Sequence, residues 1–477
     1  MIDSILCNDV HSRLNPVRVS QVHSPKSTIE VAALIREAAS HGRKFSTCGG
    51  RHAMGGQQFG EATILLDCSG LKSLGEIDLD RGIVEAGAGL MWPELIRRLH
   101  AAQEDHSTVW TIRQKQTGAD DLTLGGALAS NIHGRGLRMK PFIDDIEAFT
   151  LVNAAGEVLR CSRQENGELF RLAIGGYGCF GVITSVALRL THRIKVERTV
   201  EVTTLDRVST EMDARITGGA LYGDFQFAID ECSPDFLHRG VLSTYRPAGE
   251  NREVEEVRTL GADEWRQLIR LAHTDRTRAF ETYAKHYLGT DGSLYWSDTH
   301  QLAVYLCDYH QDLDCCLGTA TGTEMITELY VPRHSLTDFM KAEAEDLRPR
   351  GVPVIYGTIR WTRRDDESFL AWAQEDYACV IFNLHVEHHH REPAIAAFRA
   401  LIDLALSFGG NYFLTYHRWA RRDQVERAYP QFGEFLAAKE HHDPDGRFQS
   451  EWWRHYREVF LDVMPERAAA VQEAYRC

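Results

Sequence analysis

The sequence lacks several things that would have assigned a function directly. It has no Gly-Lys dipeptide, no G-x-S-x-G segment and no C-x-x-C pair. A Walker A phosphate loop and an ordinary esterase elbow are therefore excluded. No apolar run approaches the ~18 residues that span a membrane. Positive charge is also short: Lys+Arg 53 against Asp+Glu 68 leaves a net charge of −15 and a pI near 5.8. Phosphate backbones and anionic lipid surfaces are poor partners for such a chain, so neither nucleic acid binding nor membrane insertion is expected. The opening MIDSILCNDVHS carries acids and no basic n-region, which points to a cytoplasmic protein. The eleven cysteines are scattered, with one adjacent pair at Cys315 and Cys316, and are read as reduced, mostly buried thiols.

What is present is an ordinary globular composition, 43% hydrophobic and 25% charged over 477 residues. That length holds two to four domains at ~100–200 residues each. The first 190 residues alternate strand-like and helix-like segments, an α+β pattern. Ser27-Thr28-Ile29-Glu30 is a capping-box signature, followed by Val31, Leu34, Ile35 and Ala38 at helical spacing and by Gly42 as a C′ residue. Strands are expected at Ala62 to Asp67 and Gly82 to Ala86, and a helix opening at Pro93. A hairpin of Ala148 to Asn153 with Glu157 to Cys161 would turn at Ala154-Ala155-Gly156. From about residue 195, alternating strands such as TVEVTTL and DFQFAID give way to longer helical stretches. From Phe408 the pattern changes again to YFLTYHRWA, read as a strand, a helix from Val425 to Ala438 and a turn at Asp443-Pro444-Asp445-Gly446.

Two motifs fail on context. Gly176-Tyr177-Gly178-Cys179-Phe180-Gly181 satisfies G-x-G-x-x-G, but the β-branched Val182-Ile183-Thr184-Ser185-Val186 that follows reads as a strand. A dinucleotide fingerprint must open a helix there. His385-Val386-Glu387 lacks the P-C-x-x-C half of a zinc deaminase signature. His388-His389-His390 would point to alternate faces of a strand and is read as surface histidine, so no metal is expected.

Three glycine clusters within 140 residues, each following a strand, suit a backbone that must closely approach a large anionic cofactor. The runs VHSPKSTIEVAALIREAASHGRKFSTCGGRHAMGG, LTLGGALASNIHGRG and GGYGCFGVITSVALRL resemble the FAD domain of the vanillyl-alcohol-oxidase family, the p-cresol-methylhydroxylase (PCMH) type. YPQFGEFLAAKEHHDPDGRF is similar to the segment with which the sugar-oxidising branch returns to the flavin. That branch comprises alditol and aldonolactone oxidases and decaprenylphosphoryl-ribose oxidase. The resemblance is strong over residues 16–193 and 408–450 and weak between them. It implies an FAD-binding domain over 1–194, a substrate domain over 195–410 built on an antiparallel sheet flanked by helices, and a segment over 411–477 returning to the FAD domain.

Carried over by motif, Gly49, Gly50, Arg51, Ala53, Met54 and Gln57 would form the first wall of the FAD site. Thr117, Thr123, Gly125, Gly126, Ser130, His133 and Gly134 would form the second, and Gly178, Gly181 and Ile183 the third. His52 stands where many members join a histidine to the flavin 8α-methyl. Residues 118–136 hold no cysteine, so a single attachment is expected.

The flavin would accept a hydride while the protein removes a hydroxyl proton. Resemblance to the alditol-oxidase branch makes Arg360, in IYGTIR, the group that polarises oxygen. Where that branch has a lysine, this chain has Tyr416, followed by His417. A tyrosine with a reference pKa of ~10 needs a nearby cation to act as base, and His417 is the alternative if it faces the site. Asn383, His385 and Glu387 share one face of a strand running from Ala378 to His388, with Phe382, Leu384 and Val386 on the other. Glu328 and Arg333 are weaker candidates. The implied activity is oxidation of a hydroxyl on a sugar, polyol or other small hydrophilic alcohol, with molecular oxygen a candidate acceptor. Net acidity and Glu387 make an aminoglycoside-type amino sugar a further candidate, connected with antibiotic biosynthesis. The alternatives are a lactone or phenolic-alcohol oxidase, a flavin-binding protein without catalysis, and a histidine-metal protein.

Overall fold

The computed structural model describes residues 4–255, 259–304, 306 and 309–462. Cys307, Cys477 and the end of the expected 411–477 segment lie outside the described residues. The nine described cysteines are all free thiols.

Helix Thr28–Ser40 begins at Ser27, whose side chain accepts from the Glu30 amide at 3.2 Å, and ends at His41 and Gly42. Glu30 accepts from the amide of Lys26 and not from that of Ser27, so the box closes one residue early. Val31, Ala32, Ile35 and Ala38 face Val152, Ala154 and Val182, and Leu34 lies at the edge of this cluster. The helix thereby joins two sheets. One is a parallel trio in the order Gln21–His23, Ile64–Asp67, Phe45–Cys48. The other is an antiparallel five in the order Val158–Ser162, Ile146–Val152, Val182–Arg189, Ile83–Gly87, Leu74–Asp78. The hairpin pairs in the expected register, Val158 against Val152. Val182–Arg189 is a strand, so the G-x-G-x-x-G run opens no helix.

Two short pairs, Ile5–Cys7 with Val17–Val19 and Trp110–Thr111 with Thr191–His192, stand apart, and the other described strands form one eight-stranded sheet. Its order is Leu294–Trp296, Lys195–Thr204, Arg239–Pro247, Tyr222–Phe227, Val354–Trp361, Tyr377–Glu387, Gly322–Pro332, Asn411–Tyr412. Every pairing in it is antiparallel. Alternation along Gly322–Pro332 sends Met325 and Leu329 into the apolar core and Glu324, Ile326 and Glu328 toward a cavity. Helices Leu336–Arg350 and Glu392–Ser407 cover the core face, while Ala262–Thr274 and Arg276–Leu288 contribute to the cavity wall.

Two expectations are corrected after residue 411. The helix expected over Val425 to Ala438 is two helices, Arg422–Ala428 and Phe432–His442. Pro430 separates them, because a residue preceding proline, here Tyr429 at φ −134 and ψ 77, is driven out of the helical region. YFLTYHRWA is not a strand past Tyr412. The Gln57 amide takes the carbonyl of Thr415 at 2.8 Å, and the chain turns beneath the first glycine stretch. The chain then returns to the parallel trio, where Phe45 and Gln449 exchange backbone bonds with Arg447 and Phe45, each at 2.7 Å. Asp443 holds that return. It accepts from the amides of Arg447 and Phe448 and pairs with the fully buried Lys439.

Candidate active site

The three glycine stretches and the cavity face of the large sheet enclose about 1450 Å³, more than the ~300–1,000 Å³ of an ordinary small-ligand pocket. The first wall runs from Gly49 through Gln57, with Arg51 held at φ 61 while its guanidinium donates to Asp67 at 3.0 Å. The second brings Thr117, Thr123, Gly125, Gly126, Ser130 and His133 to the cavity. Gly178, Gly181 and Ile183 form the third. Gly134 sits just behind the lining, its amide donating to Gln114 at 3.2 Å.

The glycines serve the walls as much as any ligand. A Cβ on Gly50 would lie 2.0 Å from the Asp121 carbonyl oxygen, and one on Gly49 would lie 2.1 Å from the Thr123 hydroxyl. Close packing of the first stretch on the second thus requires glycine at both places. Gly178, at φ +74, supplies a left-handed corner in the third. His52 lines the first wall, and burial with the neighbouring His11 lowers its pKa to about 4, so its imidazole is neutral at neutral pH.

At the sheet end, Glu328 is at the centre. One carboxylate oxygen meets Nε2 of His133, and the other accepts from the Tyr416 hydroxyl at 3.1 Å. His133 Nδ1 lies 3.0 Å from the Gly134 carbonyl, which can only accept, so Nδ1 carries a proton and Nε2 faces Glu328. Arg360 is buried in the same wall, its Nε without a hydrogen-bond partner, and the Asn383 carbonyl oxygen is likewise unmatched. Burial and the Glu328 charge push the Tyr416 hydroxyl well above its ordinary value, outweighing Arg360. Tyr416 is therefore a hydrogen-bond donor, which corrects its expected role as base: the carboxylate beside it opposes ionisation. Glu328, ranked low on sequence, is the acceptor in this contact.

The other catalytic candidates separate. His417 is buried away from the cavity, stacked on Trp419 at 4.5 Å, and burial with Arg418 lowers its pKa to about 3. The turn after Tyr412 brings Phe413, Thr415 and Tyr416 to the cavity and leaves His417 outside it, against its expected part in the site. Glu387 is exposed at the end of its strand and lines no part of the cavity. His385 stands behind the lining, against Glu324. Arg333 donates to the Thr362 carbonyl outside the cavity.

Sequence reasoning missed Arg135 and Asp224, 3.9 Å apart, and the tyrosines Tyr245, Tyr283 and Tyr287 around them. Arg198 lies over Tyr245 and Tyr287. Only the position of Arg135 next to Gly134 offered a signal.

These walls fit FAD. Glycine corners leave backbone close to the cavity, and the buried Thr117 hydroxyl faces it without a partner. Comparison with known proteins agrees. Residues 19–162 match the FAD binding domain family. The chain is 23% identical to the L-gulonolactone oxidase of Mus musculus over 444 residues, covering 90% of this chain and 93% of that protein. It is 24% identical to the L-gulono-1,4-lactone dehydrogenase of Mycobacterium tuberculosis over 441 residues, covering 91% and 95%. Cytokinin dehydrogenase 10 of Oryza sativa subsp. japonica is 33% identical over 181 residues, covering 35% and 31%.

Gly50→Ala should fold but purify with flavin content reduced at least ~10-fold, read as absorbance per chain, because a Cβ there pushes the two walls apart. Gly261→Ala, with no atom nearer than 3.9 Å, should keep its flavin.

Proposed function

We propose that this protein, an FAD-dependent oxidoreductase of the PCMH type acting on CH–OH groups, oxidises a hydroxyl of a neutral polyhydroxylated substrate, a sugar, polyol or aldonolactone. In this reading residues 1–194 hold the cofactor, 195–410 supply most of the substrate pocket and 411–477 return to the cofactor domain. The observation that carries it is the buried ring of Glu328, His133, Tyr416 and Arg360, which opens onto the cavity that the glycine walls also line.

FAD, when bound, supplies a hydride acceptor. The glycine walls hold it, and the side chains of the ring handle the hydroxyl. Arg360 has a buried guanidinium N–H to give to the substrate oxygen. Glu328 takes the hydroxyl proton on its carboxylate, which His133 Nε2, fixed by the Gly134 carbonyl, holds in place. Tyr416 holds the second carboxylate oxygen and so fixes the direction in which Glu328 accepts. Asn383 offers a carbonyl oxygen for a second hydroxyl.

Charge favours a neutral substrate over an amino sugar. Glu387, which suggested a cation, lies outside the cavity, while Asp224 faces Arg135 and Glu328 is matched by His133. Anaerobic incubation with aldonolactones, alditols, neutral sugars and aminoglycosides should bleach the flavin with a member of the first three groups and not with the last. Bleaching by aminoglycosides alone, or by none of them, would contradict the proposal. Admitting air then reports whether oxygen is the acceptor.

We also propose that FAD is attached through His52, whose neutral imidazole supports nucleophilic attachment. The denatured band should fluoresce on a gel, and His52→Ala should abolish that fluorescence. A fluorescent His52→Ala band would place the link elsewhere.

A further inference from the structure

A second polar cluster lies behind the cavity wall, reaching the lining through Glu324, and the oxidase reading does not use it. Glu324 and His385 are directly opposed residues of neighbouring strands, and His273 descends on them from helix Ala262–Thr274. His273 Nε2 is 3.1 Å and His385 Nδ1 3.6 Å from the same oxygen of Glu324, Oε1. These three atoms are buried, and none has a hydrogen bond of acceptable geometry. Three ligand atoms within reach of one another, unmatched by hydrogen bonds of good geometry, are placed so that one cation could be shared among them.

The distances have the right size. Ligands ~2.0–2.1 Å from a tetrahedral zinc ion are about 3.3 Å from one another, and 3.1 and 3.6 Å bracket that value. The surroundings fit as well. Glu324 Oε2 is held by His310 Nε2 and the Tyr309 hydroxyl, and His310 Nδ1 lies 3.8 Å from Asp314, an outer shell that fixes the carboxylate. Gly322 leaves room for the third ligand, since a Cβ there would lie 2.3 Å from the His385 ring. His273 and His385 are far apart in the chain, so sequence spacing carried no sign of the site.

We propose that His273, Glu324 and His385 bind a divalent cation of the zinc class, pinning helix Ala262–Thr274 to the large sheet and leaving a fourth coordination position toward the cavity, which Glu324 lines. The site is independent of the reaction proposed above.

The test uses the flavin-containing protein, stripped with chelator, re-equilibrated with zinc chloride, desalted and assayed for metal by mass spectrometry. About one zinc per chain is expected. His273→Ala and His385→Ala should each lose it while keeping their flavin absorbance. Gly322→Ala should weaken zinc affinity by ~10–100-fold, the size of an outer-shell defect. His389→Ala and His390→Ala, in the exposed run, should bind as the wild type does. If a ligand variant loses flavin as well as zinc, X-ray absorption of the zinc-loaded wild type decides, with two nitrogen-type imidazole ligands expected. No zinc in the wild type, full zinc in His273→Ala, or loss in the His389 and His390 variants would each overturn the proposal.

Discussion

The contact between His133 and Glu328 joins the two halves of the cavity, across 195 residues of chain. His133 lies near the end of the second glycine stretch, and Glu328 projects from the strand next to one edge of the eight-stranded sheet. Each would be costly to bury alone, and together they leave no uncompensated charge. Their union fixes where the sheet stands relative to the glycine walls, and therefore where Arg360 and Asn383 stand across the cavity from them. Tyr416 completes the joint from a third part of the chain, the segment that goes on to rejoin the N-terminal parallel strands.

That joint explains why the site is assembled from distant pieces. Glycines at 49 and 50 let two walls approach until a side chain would strike backbone, and the return of the chain at Phe448 braces the trio of strands that presents them. The buried Lys439–Asp443 pair anchors the return in turn. Polar groups left unmatched on the cavity side, the Thr117 hydroxyl, Arg360 Nε and the Asn383 carbonyl, mark where bound molecules would complete the bonding.

Local chemistry was legible in the sequence. Ser27 and Glu30 announced a helix start, Ala154-Ala155-Gly156 a hairpin, and Val182 onward a strand that disqualified a dinucleotide fingerprint. The glycine stretches located most of the residues that line the cavity walls on that side. What depended on tertiary environment was not legible. Alternation assumed for YFLTYHRWA failed because Gln57 captures a carbonyl there, and with it went the placement of His417. Tyr416 was found but given the wrong role, since the carboxylate beside it comes from a strand some ninety residues earlier. Glu387 shares a strand face with Asn383 yet stands beyond the end of the cavity.

The central claim is that Glu328, steadied by His133 and Tyr416, takes the hydroxyl proton as the substrate is oxidised. The most direct measurement is the rate of anaerobic flavin reduction across pH, in the wild type and in Glu328→Gln. The account predicts that Glu328→Gln reduces its flavin ~10²–10⁴-fold more slowly than the wild type at every pH compared. A Glu328→Gln protein that reduces its flavin at the wild-type rate would contradict it.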